Sequence, residues 1–339
     1  MTAGAARSYS RREWLAAVGS APAASLAGCF ESGESVSVLA AGSLAVVLDT
    51  VVGPAFQERT GIDYRGEYHG ANVVMRMILE GTKRPDVAIS ADVQLLRDRL
   101  YPEYASWDVT FAANRVGLAY NPNTDLGARL AADDPDDPDD SGDPDDSGDP
   151  DDSGDPWYEL LRSADEGAVA ISDPNLDPLG YRAVHMLELA EEYYDLEGLR
   201  EDVLESAYLE PNEPQLLAGI ETGDRAIAVS YENMAVDHGL PFYELPPKLD
   251  FSDPTYAERY ESVSYTTDDG YTAHGSPMLY NATVLDSVED ADPGREFVSF
   301  LLAELDLLVE NGLAVPDRLP ETNGGVPESL AELTGGADS

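Results

Sequence analysis

Three short stretches of the sequence combine residue types that suit anion chemistry: Gly42-Ser43, Gly70-Ala71-Asn72 and Asp177-Pro178-Leu179-Gly180. Each falls where an apolar, strand-like run gives way to a helical pattern, so each opens a helix. The first N–H groups of a helix have no intrahelical partner, and the macrodipole adds partial positive charge there. Such turns can hold an oxyanion through hydroxyl and backbone donors. Taken singly, Ser43 is equally an N-cap, Gly70 a turn glycine and Asp177-Pro178 an ordinary loop. Three of them in one chain carry more weight than any one.

Catalytic chemistry finds little support. The histidines at 69, 185, 238 and 274 have no metal-ligand spacing, and no Gly-x-Ser-x-Gly elbow is present. His69, beside Gly70, reads as a hydrogen-bonded structural histidine. Carboxylate pairs mean nothing in a chain with Asp+Glu 66. The repeat Pro-Asp-Asp-Ser-Gly-Asp between Pro138 and Asp155 lacks the spacing and distal glutamate of a calcium loop. The reading is therefore of a binding protein, not an enzyme, with no cofactor and no resident metal. A surface enzyme or an adhesive protein is the rival class.

The elements that must position these turns alternate. Val36–Ala40 reads as a strand, followed by a helix near 44–59; a second strand near 62–68 leads to a helix from Gly70 to about Gly81. Val87–Ser90 is apolar and precedes a helix from Asp92. Farther on, Trp157–Leu161 begins a helix, Ala168–Ser172 is a buried strand, and Asp173–Gly180 is a turn opening a helix over Tyr181–Tyr194. Ala226–Tyr231 and Pro277–Val284 are strands, and a terminal helix spans Pro293–Glu310. Strands alternating with helices imply α/β lobes with parallel sheets covered on both faces. The ligand crevice of such sheets lies at the carboxyl ends of the strands, where the three turns fall. Residues 133–156 carry the acidic repeat, have no apolar residue to bury and read as a disordered surface insertion.

Residues 1–28 have the layout of an export signal, with Ser10-Arg11-Arg12 resembling a twin-arginine address and Leu26-Ala27-Gly28-Cys29 resembling a lipobox. Cys29 is the only cysteine, so it is the expected lipidation site, with 29–35 as the anchor linker. The location expected is the extracellular face of the cell membrane. Asp+Glu 66 against Lys+Arg 20 gives a net charge of −46, which disfavours nucleic acid and anionic lipid surfaces. With 43% apolar residues the chain still has the means to fold.

Longer stretches resemble a known family. Ala40-Ala41-Gly42-Ser43-Leu44, Arg84–Asp92, Trp107–Asn114, Tyr231–Leu240 and above all Asp173-Pro174-Asn175-Leu176-Asp177-Pro178-Leu179-Gly180-Tyr181-Arg182 are similar to the molybdate/tungstate-binding proteins of ABC importers, in their archaeal and haloarchaeal branch. The likeness extends over residues 36–120 and 169–320. It implies a two-lobe, periplasmic-binding-protein-like (type II) fold, with lobe I over 36–112 and 282–339 and lobe II over 113–281. Hinges are implied near Asn114–Tyr120 and Leu279–Val284. It also implies a monomer that delivers molybdate or tungstate to an ABC permease and its ATPase, with sulfate or another anion as the alternative.

Carried over residue by residue, Gly42 and Ser43 donate from lobe I. Gly70 and Ala71 follow, with Ala71 standing where the family has a serine. Asp177 matches an acidic position that approaches the metal centre of the oxyanion, and Leu179 offers its amide. A second acidic position, a glutamate before a tyrosine, is Ser230-Tyr231 here, so the resemblance implies a site with one carboxylate.

A chain of −46 repels itself in dilute buffer, whereas at about 1 M salt the Debye length falls to roughly 3 Å. This charge reads as that of a halophile's extracellular protein, so circular dichroism should show cooperative unfolding on dialysis from molar salt into dilute buffer, and a full native spectrum there would contradict that reading.

Overall fold

The structure is a computed structural model and describes residues 34–132 and 155–334. The signal, Cys29 and nearly all of the acidic repeat lie outside the described residues. Four strands come first: Ser35–Ala41 (β1), Asp63–His69 (β2), Val87–Ser90 (β3) and Trp107–Ala113 (β4). Val116–Tyr120 (β5), Val169–Ser172 (β6), Tyr208–Glu210 (β7), Ile227–Tyr231 (β8) and Phe242–Tyr243 (β9) follow. A hairpin, Ser264–Thr266 (β10) with Thr272–His274 (β11), precedes Leu279–Val284 (β12) and Glu321–Gly324 (β13).

β10 and β11 pair with each other, and the other eleven strands build two sheets, one ordered β13-β4-β12-β3-β1-β2 and the other β7-β6-β8-β5-β9. Helices flank both, which gives the α/β, bilobed architecture. β3, β4, β5, β6 and β8 are buried along their whole length, as near-continuous apolar strands covered on both faces must be. β2, with Asp63, Arg65 and Glu67, lies at an edge, where charge discourages pairing with a further strand.

The sheets are mixed rather than parallel. β1 runs parallel to β2 and β3, and β6 to β7 and β8, but β12 and β5 run antiparallel to their neighbours. The reason is topological: strands entering from the other sheet do not come through a βαβ crossover. Only Asn114 and Arg115 separate β4 in one sheet from β5 in the other. Beside them Asn114 N–H donates to Met278 O at 3.2 Å, Met278 N–H to Phe251 O at 2.8 Å and Val116 N–H to Asp250 O at 2.8 Å. The chain segments near 114 and 278 thus pass between the sheets side by side, with the segment at 250–251 beside them. β12 lies wholly in the six-stranded sheet, so the return crossing precedes Leu279.

Two helices differ from expectation. The run after β1 begins as a tight turn at Gly42–Leu44, continues through Ala45–Val47, widens over Leu48–Val52 and resumes at Gly53–Thr60. Pro54 accounts for the wide turn, because it lacks the N–H that would bond one turn back and its ring would crowd that carbonyl. The terminal helix breaks into Asp292–Ala303 and Asp306–Val309, and the chain goes on to add β13.

The helix Pro178–Tyr194 starts against the exit of β6, and Gly180 allows the approach. A Cβ there would lie 2.5 Å from Ser172 O and 2.5 Å from Pro174 N, both backbone atoms. Gly180→Ala should therefore lower stability by about 1–3 kcal/mol through overpacking, measured by urea unfolding in molar salt.

Candidate functional site

Gly42 lies at the carboxyl end of β1 and Gly70 at that of β2; Asp177 follows β6 and Tyr231 ends β8. The two sheets point these ends at one another. Gly70 packs so closely on the facing lobe that a Cβ would fall 2.3 Å from Asp177 Cβ. Val73 N–H, in the first turn of the helix Ala71–Leu79, donates to Leu176 O at 3.3 Å. Asn233 Nδ2 donates to Ser43 O at 2.6 Å, and Tyr280 Oη to Ser43 Oγ at 3.1 Å. Gly42, Ser43, Gly70, Ala71, Asp177, Leu179 and Tyr231 are thereby brought to one buried region.

Asp177 caps the helix Pro178–Tyr194, accepting from Leu179 N–H at 2.6 Å while Ser172 Oγ donates to its second oxygen. Pro178 suits the first helical position because its missing N–H is not needed there. The Leu179 amide is thus committed to Asp177. Burial pushes the Asp177 carboxyl up to about 7, against the pull of the Leu179 amide and Arg182.

Ser230 stands apart. Neighbours on a strand point to opposite faces, and its hydroxyl donates to the carbonyl of Tyr231 at 3.0 Å. Tyr231 faces the cleft and accepts from Arg182 Nη1 at 3.1 Å.

Sequence reasoning missed a second acid. Glu213 is buried, and its Oε2 accepts from Gly42 N–H at 2.9 Å. Its Oε1 is buried without a hydrogen-bond partner among the described residues. Burial, and after it the charge of Asp177, raises the Glu213 carboxyl well above the usual carboxylate range, while donors at Gly42 and Ser43 work the other way. The region therefore holds two facing carboxyls, not one. Glu213 sits in an irregular stretch before Pro214, where neither strand nor helix periodicity singles it out of 66 acidic residues.

Arg182, which ends the motif that opens at Asp173, is among the described residues the one buried arginine or lysine. Burial opposes its charge, but Tyr231, Asp92 and Tyr181 outweigh it and hold the guanidinium protonated. A groove of about 390 Å³ opens beside Asp92, Tyr271 and His274. The Asp177–Glu213 region, in contrast, is sealed between the lobes.

This arrangement, two α/β lobes facing each other across buried polar groups, defines a class of solute-binding proteins. The chain belongs to the family described as bacterial extracellular solute-binding protein, matched over residues 36–313. It is 43% identical over 312 residues to an uncharacterized solute-binding protein of Halobacterium salinarum, covering 92% of this chain and 94% of that one. A Haloferax volcanii protein with the provisional name ABC transporter molybdenum-binding protein is 37% identical over 285 residues, covering 82% and 84%. The fold matches the periplasmic molybdate-binding protein of Azotobacter vinelandii with a TM-score of 0.57 at 15% identity, over 83% of this chain and 100% of that one. It is an extracytoplasmic solute-binding protein of an importer family related to oxyanion-binding proteins, and not an enzyme.

A carboxyl raised on folding lets the native chain keep a proton that the unfolded chain releases. Its contribution makes stability fall as pH rises from about 4, the unfolded value, and level off above the folded one. With Asp177 near 7, thermal midpoints between pH 5 and 8 should decline less in Asp177→Asn than in the wild type. Parallel curves would mean that Asp177 titrates as it does in the unfolded chain.

Proposed function

We propose that the protein captures tungstate or molybdate outside the cell and delivers it to an ABC permease and its ATPase. The observation that carries this reading is the convergence of the Gly42-Ser43 and Gly70-Ala71 turns on the paired carboxyls of Asp177 and Glu213. In the proposed site Gly42, Ser43, Gly70 and Ala71 act from lobe I, while Asp177 and Tyr231 act from lobe II, with the Leu179 amide holding Asp177 in place. Glu213 joins them, and Ser230 supports the Tyr231 backbone.

Glu213 holds the Gly42 amide as an anion would, so the arriving oxyanion takes over that donor. A dianion meets long-range repulsion from a chain of −46, and its affinity must come from short hydrogen bonds in a dry cleft. The carboxyls favour molybdate and tungstate over sulfate. The metal centre of those anions accepts further oxygen ligands, whereas the sulfur of sulfate does not expand its coordination in this way.

Binding is completed by rotation of the lobes about the two crossings near 114 and 278, a hinge motion. A lipid on Cys29 would keep the monomer close to its permease.

The test is a thermal-shift panel in molar salt. Tungstate or molybdate at 100 Kd should stabilise by about 2.7 kcal/mol, with sulfate and phosphate shifting the midpoint less. No shift with any oxyanion removes the substrate from this reading. Calorimetry on Asp177→Asn should show altered selectivity among tungstate, molybdate and sulfate, and unchanged selectivity would take Asp177 out of the site.

A further inference from the structure

Asp92 divides its two oxygens between the lobes. Oδ1 serves its own lobe, capping the helix Val93–Leu100 by accepting from Gln94 N–H at 2.9 Å and Leu95 N–H at 3.1 Å. Oδ2 faces the other lobe, accepting from Tyr181 Oη at 2.6 Å and from Arg182 Nη2 at 3.5 Å. Arg182 adds a second crossing bond, from Nη1 to Ala91 O at 3.0 Å, while the same nitrogen reaches Tyr231 Oη inside its own lobe. The side chains of the ion pair are 2% and 3% exposed.

We infer that Asp92 is the positioning residue for lobe closure, receiving Tyr181 and Arg182 as a latch that forms only when the lobes meet. The inference rests on the hinge reading above. With the lobes apart, water solvates the guanidinium and the carboxylate. With them together, both are dry, and only their mutual contact replaces the lost hydration. A buried pair of this kind adds little net attraction, because desolvation offsets the Coulomb gain. Removing one partner, in contrast, leaves an uncompensated charge in the closed form alone. The latch therefore selects one closed geometry and penalises near misses. Through Tyr231 it ties that geometry to the region where Asp177 and Glu213 lie.

The division of oxygens separates the latch from the fold. Asp92→Asn keeps an oxygen to cap the helix but places an amide NH₂ against Tyr181 and Arg182, where it cannot accept. Tyr181→Phe leaves Asp92 and its cap intact and removes one crossing bond. The full chain in molar salt, titrated with sodium molybdate by calorimetry and stopped flow, should show Kd and dissociation rate raised at least about tenfold in Asp92→Asn. Association should change by less than about threefold, and Tyr181→Phe should follow in the same direction by less.

Both variants should fold, as judged by circular dichroism in molar salt. If Asp92→Asn proves unfolded, Tyr181→Phe carries the test. Wild-type rates in every folded variant would overturn the latch. If the wild type itself fails to bind molybdate, the substrate reading falls, and small-angle scattering of the ligand-free chains decides the latch separately. A larger radius of gyration in the folded variants than in the wild type supports it, and equal radii overturn it.

Discussion

Taking an ion out of water costs several kcal/mol unless another group replaces its hydration, and the region between the lobes encloses Asp92, Asp177, Arg182 and Glu213 together. Each is handled differently. Arg182 and Asp92 offset one another across the lobes. Asp177 is held by a helix N-terminus and a serine hydroxyl. Glu213 leans on the Gly42 amide with one oxygen, leaves the other without a partner among the described residues, and is pushed by burial well above the usual carboxylate range. Much of the neighbouring structure serves this balance. Gly42 and Gly70 bring backbone close to the acids, Gly180 lets the capped helix reach them, and Tyr231 and Tyr280 wall them in.

The same balance suits the proposed opening and closing of the lobes. The two chain crossings near residues 114 and 278 and the segment at 250–251 beside them are joined by backbone bonds, so the two lobes are linked through a narrow ribbon. Phe251, within it, has φ of 63°, a left-handed conformation uncommon for a bulky residue. Across the cleft, most lobe-to-lobe contacts described above are polar. Polar surfaces can be rewetted at modest cost, whereas an apolar interface of the same extent would resist separation.

Surface and cleft obey different rules. A net charge of −46 is tolerable on a surface that salt screens, because exposed charges interact weakly beyond a Debye length. Inside the cleft there is little screening, and individual groups decide the chemistry. Global charge is therefore a poor guide to the ligand. The strong acidity disfavours nucleic acid as a partner without disfavouring an anion held by local donors.

The amino-acid sequence by itself determined the alternation of strands and helices, the three turns at Gly42, Gly70 and Asp177, and the lack of catalytic or metal-binding spacing. These are local properties, written in periodicity, capping residues and glycine placement, and the sheets and helices followed them closely. What it could not determine was anything set by residues distant along the chain. The antiparallel entry of β5 and β12, the broken terminal helix and the return crossing before Leu279 depend on how the sheets exchange strands. Glu213 meets Gly42 from 171 positions away, and Arg182 meets Ala91 from 91. In a chain with 66 acidic residues, no local signal distinguishes the few carboxyls that folding removes from water. Only the tertiary structure made that selection, because burial and pairing are properties of where chain segments meet and not of their composition.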